Sequence, residues 1–287
     1  VYILDNGSEK SDKEKLKDNV KNYKHCGLDE FLYSTLELEN TLILSNENWG
    51  FAQGNNVIIE KVKYNYDYVL LLNNDTVVVN CFVDIMLNFM YDNSEIKFAS
   101  CRINSYYDKE KLWNCGGKLY FWGNRHYYTE NELLNYGEVV PATFITGCAL
   151  FVDTNLIRQE KCFTDKFFFG EEDIEFCLRM KNRKVKGACV NKVLVYHKVG
   201  ATTSREAKNP GKIALHFSNR VINMKSFYPK TVWYIWKMSL IILLKIKCMT
   251  WGFSRKETSK IIKLVNENSK NDRITKNEAF RLMRFEE

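Results

Sequence analysis

Proline is scarce in this chain: three residues in 287, beside fourteen glycines. That excludes collagen-like and proline-rich architectures. Cysteine is plentiful, but its pattern is empty. Nine cysteines stand at 26, 81, 101, 115, 148, 162, 177, 189 and 248, and none forms a Cys-x-x-Cys pair. A zinc ribbon is therefore not expected, and an odd number of scattered thiols makes no disulfide framework. The natural compartment is a reducing one. Long apolar runs are missing too. Val232–Leu244 holds thirteen mainly apolar residues, short of the ~20 that span a bilayer. No signal peptide stands at the start. The chain opens at Val1 in a strand-like stretch, which reads as an incomplete N-terminus. Hydrophobic residues at 45% and charged residues at 27% supply a sizeable core and exclude a disordered protein. The length suits one large domain or one domain with an appendage, at ~100–200 residues each.

Charge divides the chain. Residues 1–204 hold 24 basic and 28 acidic residues, a net of −4; residues 205–287 hold 18 and 7, a net of +11. A slightly acidic body thus carries a basic tail, which favours anionic lipid or nucleic acid. No nucleic-acid motif accompanies the charge, so nucleic acid is not expected as a partner. Around 231–247, Trp233, Tyr234 and Trp236 are residue types of the membrane interface, and Lys237, Lys245 and Lys247 interrupt or flank the apolar residues. A helix lying in a membrane surface fits this mixture; so does a helix packed on the main domain.

Strand and helix signals alternate through the first hundred residues. Val1–Leu4, Thr41–Leu44, Tyr68–Leu72 and Ile96–Ser100 read as strands. Ser8–Asn22, Gly50–Tyr64 and Cys81–Tyr91 read as helices. The alternation predicts an α/β domain with a mostly parallel sheet. Residues 104–145 break the rhythm with Tyr, Trp, Asn and Gly. Cys148–Val152 and Val193–His197 then read as strands and Glu172–Lys184 as a helix. A boundary is expected between Ser204 and Gly211, giving a body at 1–204 and a basic helical extension at 205–287.

Polar residues gather at the carboxyl ends of the apolar strands: Asp5 after VYIL, Asp75 after YVLLL, His197 after VLVY. Ligands of open α/β sheets bind outside those ends. Asp75, within Asn73-Asn74-Asp75, is suited either to a turn or to a hard divalent cation. His197 could share that cation. In Phe167-Phe-Phe-Gly-Glu-Glu-Asp173, Glu171 to Asp173 fall where a helix begins. There acids complement the helix dipole, or, crowded together, raise one another's pKa and serve as a general base. Asn46–Asn56 brings glycines and amides before a helix N-terminus, which suits a phosphate or polar ligand, without matching a dinucleotide or P-loop pattern.

Taken in order, DNGS, N-x-N-x-GFAxGNN, YVLLLNNDT, TGCALFV, FFFGEEDIEFCLR and VYHKVGATTS resemble family 2 glycosyltransferases of the GT-A fold, especially rhamnosyltransferase-like members that build bacterial surface polysaccharides. The resemblance runs from about residue 1 to 228. It implies inverting transfer of a sugar from a nucleotide-diphospho-sugar, with UDP or dTDP as the expected carrier, to a glycan or lipid-linked acceptor. It implies Mg2+ or Mn2+ held by Asp75 with His197. Asp173 becomes the catalytic base, with Glu172 beside it. Asp5 would contact the nucleobase, and Asn73 and Asn74 complete the diphosphate site. Thr146 and Gly147 lie where donor sugar and acceptor meet, and Asn48, Gly54 and Asn55 belong to the donor loop. The chain departs from the family in Asn73 replacing an acid and in Trp49 replacing a leucine. It also has Ser218-Asn219-Arg220 where Arg-Asn-Arg is usual, so that Arg220 is the one basic contact. The family's first strand is missing from the sequence given. The expected location is the cytoplasm, peripheral on the inner face of the plasma membrane. Two other readings stand beside this one: a non-catalytic nucleotide-sugar or glycan-binding module, and a nucleotidyltransferase on a similar sheet.

Overall fold

The computed structural model describes residues 1–35, 39–198 and 209–286. In chain order its elements begin β1 (Tyr2–Asn6), α1 (Lys10–Asn19), β2 (Lys24–Gly27), α2 (Leu28–Tyr33), β3 (Thr41–Ser45), α3 (Gly50–Val62), β4 (Tyr68–Leu72), β5 (Thr76–Val78) and α4 (Phe82–Asp92). There follow β6 (Ile96–Ser105), β7 (Leu112–Asn114), β8 (Gly117–Leu119), β9 (Arg125–Tyr127), α5 (Glu130–Leu133), β10 (Val139–Ala142), β11 (Ala149–Asp153) and α6 (Thr154–Ile157). The last are α7 (Glu172–Asn182), β12 (Lys186–His197), α8 (Pro210–Lys225), α9 (Lys230–Thr250), α10 (Arg255–Asn268) and α11 (Lys276–Met283).

The strands form two main sheets and a hairpin. β1, β3 and β2 pair in parallel, with β3 central. The larger sheet runs β10-β12-β6-β11-β4, with β5 on β12 and β7 on β6. Strands β8 and β9 form an antiparallel pair of their own.

The expectation of a mostly parallel sheet needs correction. In the larger sheet only β6 and β12 run parallel; β10, β11, β5 and β7 all pair antiparallel. Parallel neighbours need a crossover of a dozen or more residues, usually helical. Residues 104–145 supply short strands and hairpins instead, and β11 enters between β4 and β6 running the other way. The fold is thus mixed α/β, with helices around a mixed central sheet and a C-terminal run of helices.

Burial explains the order. β11 is buried at every residue and β6 at most of them, as strands covered on both faces must be. Helix α7 buries Ile174, Phe176, Cys177, Leu178 and Met180. Its Phe176 meets Phe98 of β6 edge-on, with ring centroids 5.5 Å apart. Each such buried ring stabilises the fold by roughly 1.5–3 kcal/mol. The same apolar cluster continues into the C-terminal helices through Val221, Met224, Trp233, Trp236 and Leu244.

Some elements differ from their sequence patterns. β1 extends to Asn6, so Asp5 lies inside the strand and is held by its register with Leu44. β2 has no apolar run and exists through pairing with β3. β12 begins seven residues earlier than its apolar stretch, because Lys186–Val190 add a buried parallel ladder to β6. The boundary expected at 204–211 falls largely outside the described residues, as does the end of the VYHKVGATTS segment.

Candidate active site

Three loops meet at the carboxyl ends of these strands. In the first, the turn after β1 packs on the loop after β3. Gly7, at φ +76°, leaves no room for a Cβ, which would stand 2.6 Å from the Asn48 amide nitrogen. Asn6 Oδ1 accepts the Trp49 amide at 2.8 Å, and Asn6 Nδ2 donates to the Gly50 carbonyl at 2.9 Å. Asn48 Oδ1 accepts the Gly50 amide at 2.8 Å. Gly54 faces Leu4 and Asn6 closely enough that a Cβ would be tight. Asn55 donates to the Phe51 carbonyl inside α3. Asp5 is buried beneath this frame, 3.5 Å from Lys13 Nζ. Neither of its carboxylate oxygens has a hydrogen-bond partner. Buried acceptors are normally paired; two idle ones fit a ligand that brings N–H or O–H donors.

The second loop is Asn73–Asp75. It is bound to the turn before β11, where Asn73 N donates to Cys148 O at 2.9 Å and Thr146 Oγ1 accepts the Cys148 amide at 3.3 Å. Burial first, and the neighbouring Asp75 charge second, push the Cys148 thiol up to about 12. Asp75 Oδ1 lies 3.0 Å from His197 Nε2. β5 brings them together, since Thr76 pairs with His197 in the ladder. The imidazole packs edge-on against Trp113 at 4.2 Å, and its Nδ1 is buried without a partner. Asn74 is exposed. Among the described residues no three His, Cys, Asp or Glu side chains gather as a metal cluster. The Asp75–His197 pair offers one oxygen and one nitrogen donor. This fits a divalent cation that takes its other ligands from diphosphate and water.

The third loop, Phe167–Asp173, leads into α7. Gly170 at φ +90° and Glu171 at φ +72° both take left-handed conformations. That is costly for Glu171, and α8 holds it there. Asn219 Nδ2 donates to the Phe169 carbonyl at 2.8 Å and Asn223 Nδ2 to Glu171 Oε2 at 3.2 Å. Arg220 Nη1 lies 3.5 Å from Glu171 Oε1, and its Nη2 donates to the Gly123 carbonyl. Arg220 is thus a buried clamp between this loop and the β8–β9 turn.

Asp173 is recessed, with part of its surface still reaching solvent. Burial, opposed by Arg125 and reinforced by Glu171, pushes its carboxyl up to about 6, with the Ile174 and Gly147 amides pulling it down. Glu172 is buried more completely. Burial and the Asp173 charge take it up to about 8, so at neutral pH it is largely protonated. Burial lowers His216, which sits 3.9 Å from Glu171.

Close contacts join the three loops. A Cβ on Gly50, at φ +74°, would stand 2.2 Å from the Phe168 carbonyl, which ties the first loop to the third. A Cβ on Gly147 would meet the Phe51 ring at 3.2 Å and Asp173 at 3.9 Å. The turn therefore touches Asp173 through Gly147 and the Asn73–Asp75 loop through Cys148. Sequence reasoning missed Arg125, which is stacked on Tyr127 and Phe144, and the positions of Trp113, Phe51 and His216. Phe51 lies in the GFAxGNN stretch, but the other three lie in no motif. Only their convergence in space marks them.

No protein-family model matches the chain, and no curated protein sequence matches it. Among solved structures it is similar to a mannosyltransferase from Pyrobaculum calidifontis in complex with GDP-Man and Mn2+. The two are 10% identical with a TM-score of 0.47, over 95% of this chain and 77% of that one. At that distance the likeness assigns no activity, and the residues of the site carry the reading.

Proposed function

We propose that this chain is an inverting glycosyltransferase that moves a sugar from a nucleotide-diphospho-sugar to an acceptor hydroxyl. The observation that carries this reading is the turn at Gly147–Cys148. On one side Gly147 packs against Asp173, a recessed carboxylate whose pKa is pushed up to about 6. On the other it binds the loop bearing the Asp75–His197 pair. A proton acceptor and a diphosphate platform thus flank one small glycine.

Single displacement needs these two functions on opposite sides of the reacting carbon. The acceptor oxygen attacks the anomeric carbon while its proton passes to the Asp173 carboxylate. The bond from that carbon to the diphosphate oxygen breaks, and nucleoside diphosphate leaves. Because the attack comes from the far side, the configuration inverts and no covalent intermediate is needed. A pKa near 6 leaves Asp173 ionised at pH 7 yet more basic than an ordinary carboxylate. Asp75 and His197 would hold Mg2+ or Mn2+, which supplies Lewis-acid stabilisation of the departing diphosphate. Asp5, with two idle buried oxygens, is the contact for nucleobase N–H groups. Thr146 and Gly147 line the sugar position, and Asn48 fixes the donor loop. A donor carried by UDP or dTDP, and a role in bacterial surface polysaccharide synthesis, complete the proposal.

The test is calorimetric titration of the protein with UDP, dTDP, GDP and CDP, each with and without Mn2+. Metal-dependent binding of one nucleotide, with donor-dependent product and release of nucleoside diphosphate, supports the reading. Nucleotide binding without turnover would make the chain a binding module. Pyrophosphate release would make it a nucleotidyltransferase.

A further inference from the structure

Helix α9 is apolar on two opposite sides. Its 21 residues make a rod about 31 Å long. One side buries Trp233, Trp236, Leu244 and Cys248. On the other, Ile235, Met238, Ile242, Ile246 and Met249 are each more than half exposed. Their spacing of three, four, four and three residues makes a single stripe. An exposed apolar stripe of this length, flanked by charge, marks a surface that binds a partner.

The charge says what covers it. Between residues 230 and 256 stand Lys230, Lys237, Lys245, Lys247, Arg255 and Lys256, and no acidic residue. Lys237 is engaged with Ser269 and the Trp233 ring; a second copy of the chain would set the remaining cations against their like. Anionic headgroups would neutralise them. Exposed Tyr234 and Trp251 mark the two ends of the helix with aromatics of the interfacial kind. Among the described residues no helix is long and apolar enough to cross a membrane.

The β8–β9 hairpin packs on the Trp236 side of α9, away from the stripe, and exposes aromatics of its own. Its tip exposes Phe121 and Trp122. Trp236 Nε1 donates to the Trp122 carbonyl at 2.9 Å, and the Tyr228 ring stacks near both Phe121, at 5.7 Å, and Trp236, at 5.8 Å. The far strand of the hairpin, β9, begins with Arg125, whose charge acts on Asp173.

We propose that the outer face of α9 docks on a lipid bilayer rich in anionic headgroups, the helix lying in the plane of the surface. If the transferase reading holds, a lipid-linked acceptor would reach Asp173 from the membrane plane; docking itself does not depend on that reading.

The experiment is flotation of the full chain with phosphatidylcholine vesicles, with and without phosphatidylglycerol. The protein should float with the anionic vesicles and detach as salt is raised. Ile242→Asp combined with Ile246→Asp should weaken binding at least about tenfold, and Lys245→Glu combined with Lys247→Glu should weaken it on anionic vesicles by a similar factor. All four positions are exposed, and an unchanged circular dichroism spectrum and thermal midpoint will verify folding. Absence of flotation with either vesicle overturns the proposal. So does flotation untouched by the isoleucine pair. A dimer in sedimentation velocity that those aspartates dissociate, without vesicle binding, would assign the stripe to a second copy and overturn the lipid.

Discussion

Two acidic places flank the same turn and are built in opposite ways. Asp75 keeps 47% of its side chain exposed and faces an imidazole. Asp173 is recessed, with Glu171 and Glu172 as its chain neighbours and the Arg125 charge acting against theirs. An open carboxylate next to a nitrogen donor is suited to an ion that arrives with its ligand. A carboxylate crowded by others is suited to taking a proton. Residue type is shared and environment differs; under the proposed function it divides the work, as in enzymes that give two carboxylates different roles.

The largest effect that could break this comparison belongs to Asp173. Asp173→Asn should lower transfer by about 10²–10⁴-fold, the range for a lost general base. Nucleotide affinity, read by calorimetry, should hardly change. If turnover survives, Asp173 is not the base. The same variant should be more stable than the native chain above pH 6. A carboxyl whose pKa rises on folding binds more protons folded than unfolded, so its contribution falls as pH rises from about 4 through 6. Removing that charge should gain about 3 kcal/mol at pH 7, measurable by urea unfolding at two pH values. A smaller effect is expected on the other side. Asp75→Ala should leave the fold intact and cost about 10–100-fold in Mn2+-dependent nucleotide affinity, with little change in metal-free affinity. An unchanged titration would remove Asp75 from the diphosphate site.

The two places were not equally legible. Asp75 and His197 stand at the ends of apolar runs, and both runs form strands. The pairing between them depends on β5, three residues with no sequence signal beyond Thr-Val-Val. Asp173 was visible as part of an acidic run. Its recess was not, because α8 and the β8–β9 hairpin build it, and their contacts connect residues about 50 to 100 positions apart. Arg220 was read as a basic contact, whereas the structure places it as a buried clamp on Glu171 and Gly123. The mixed sheet was hidden for a related reason. Strand direction is set by what lies between strands, and residues 104–145 carry no periodic pattern that reveals their two hairpins.

The smallest effect sharpens the comparison most, because it tests the environment and leaves Asp173 in place. Transfer should rise with pH along a limb centred near 6, as Asp173 loses its proton. Two neighbours pull that limb in opposite directions. Arg125 favours the ionised form, so Arg125→Gln should move the limb to higher pH. Glu171 disfavours it, so Glu171→Gln should move it to lower pH. Each shift should be about half a pH unit, typical of one charge acting through partly solvated protein. Glu171 also receives Asn223 and faces Arg220, so its variant will lower the maximal rate as the loop loosens. The position of the limb is independent of that height. Opposite shifts would establish that the crowd of charges around Asp173 tunes the base. Two shifts in the same direction would mean that the substitutions act through the shape of the loop, and the contrast with Asp75 would then rest on burial alone.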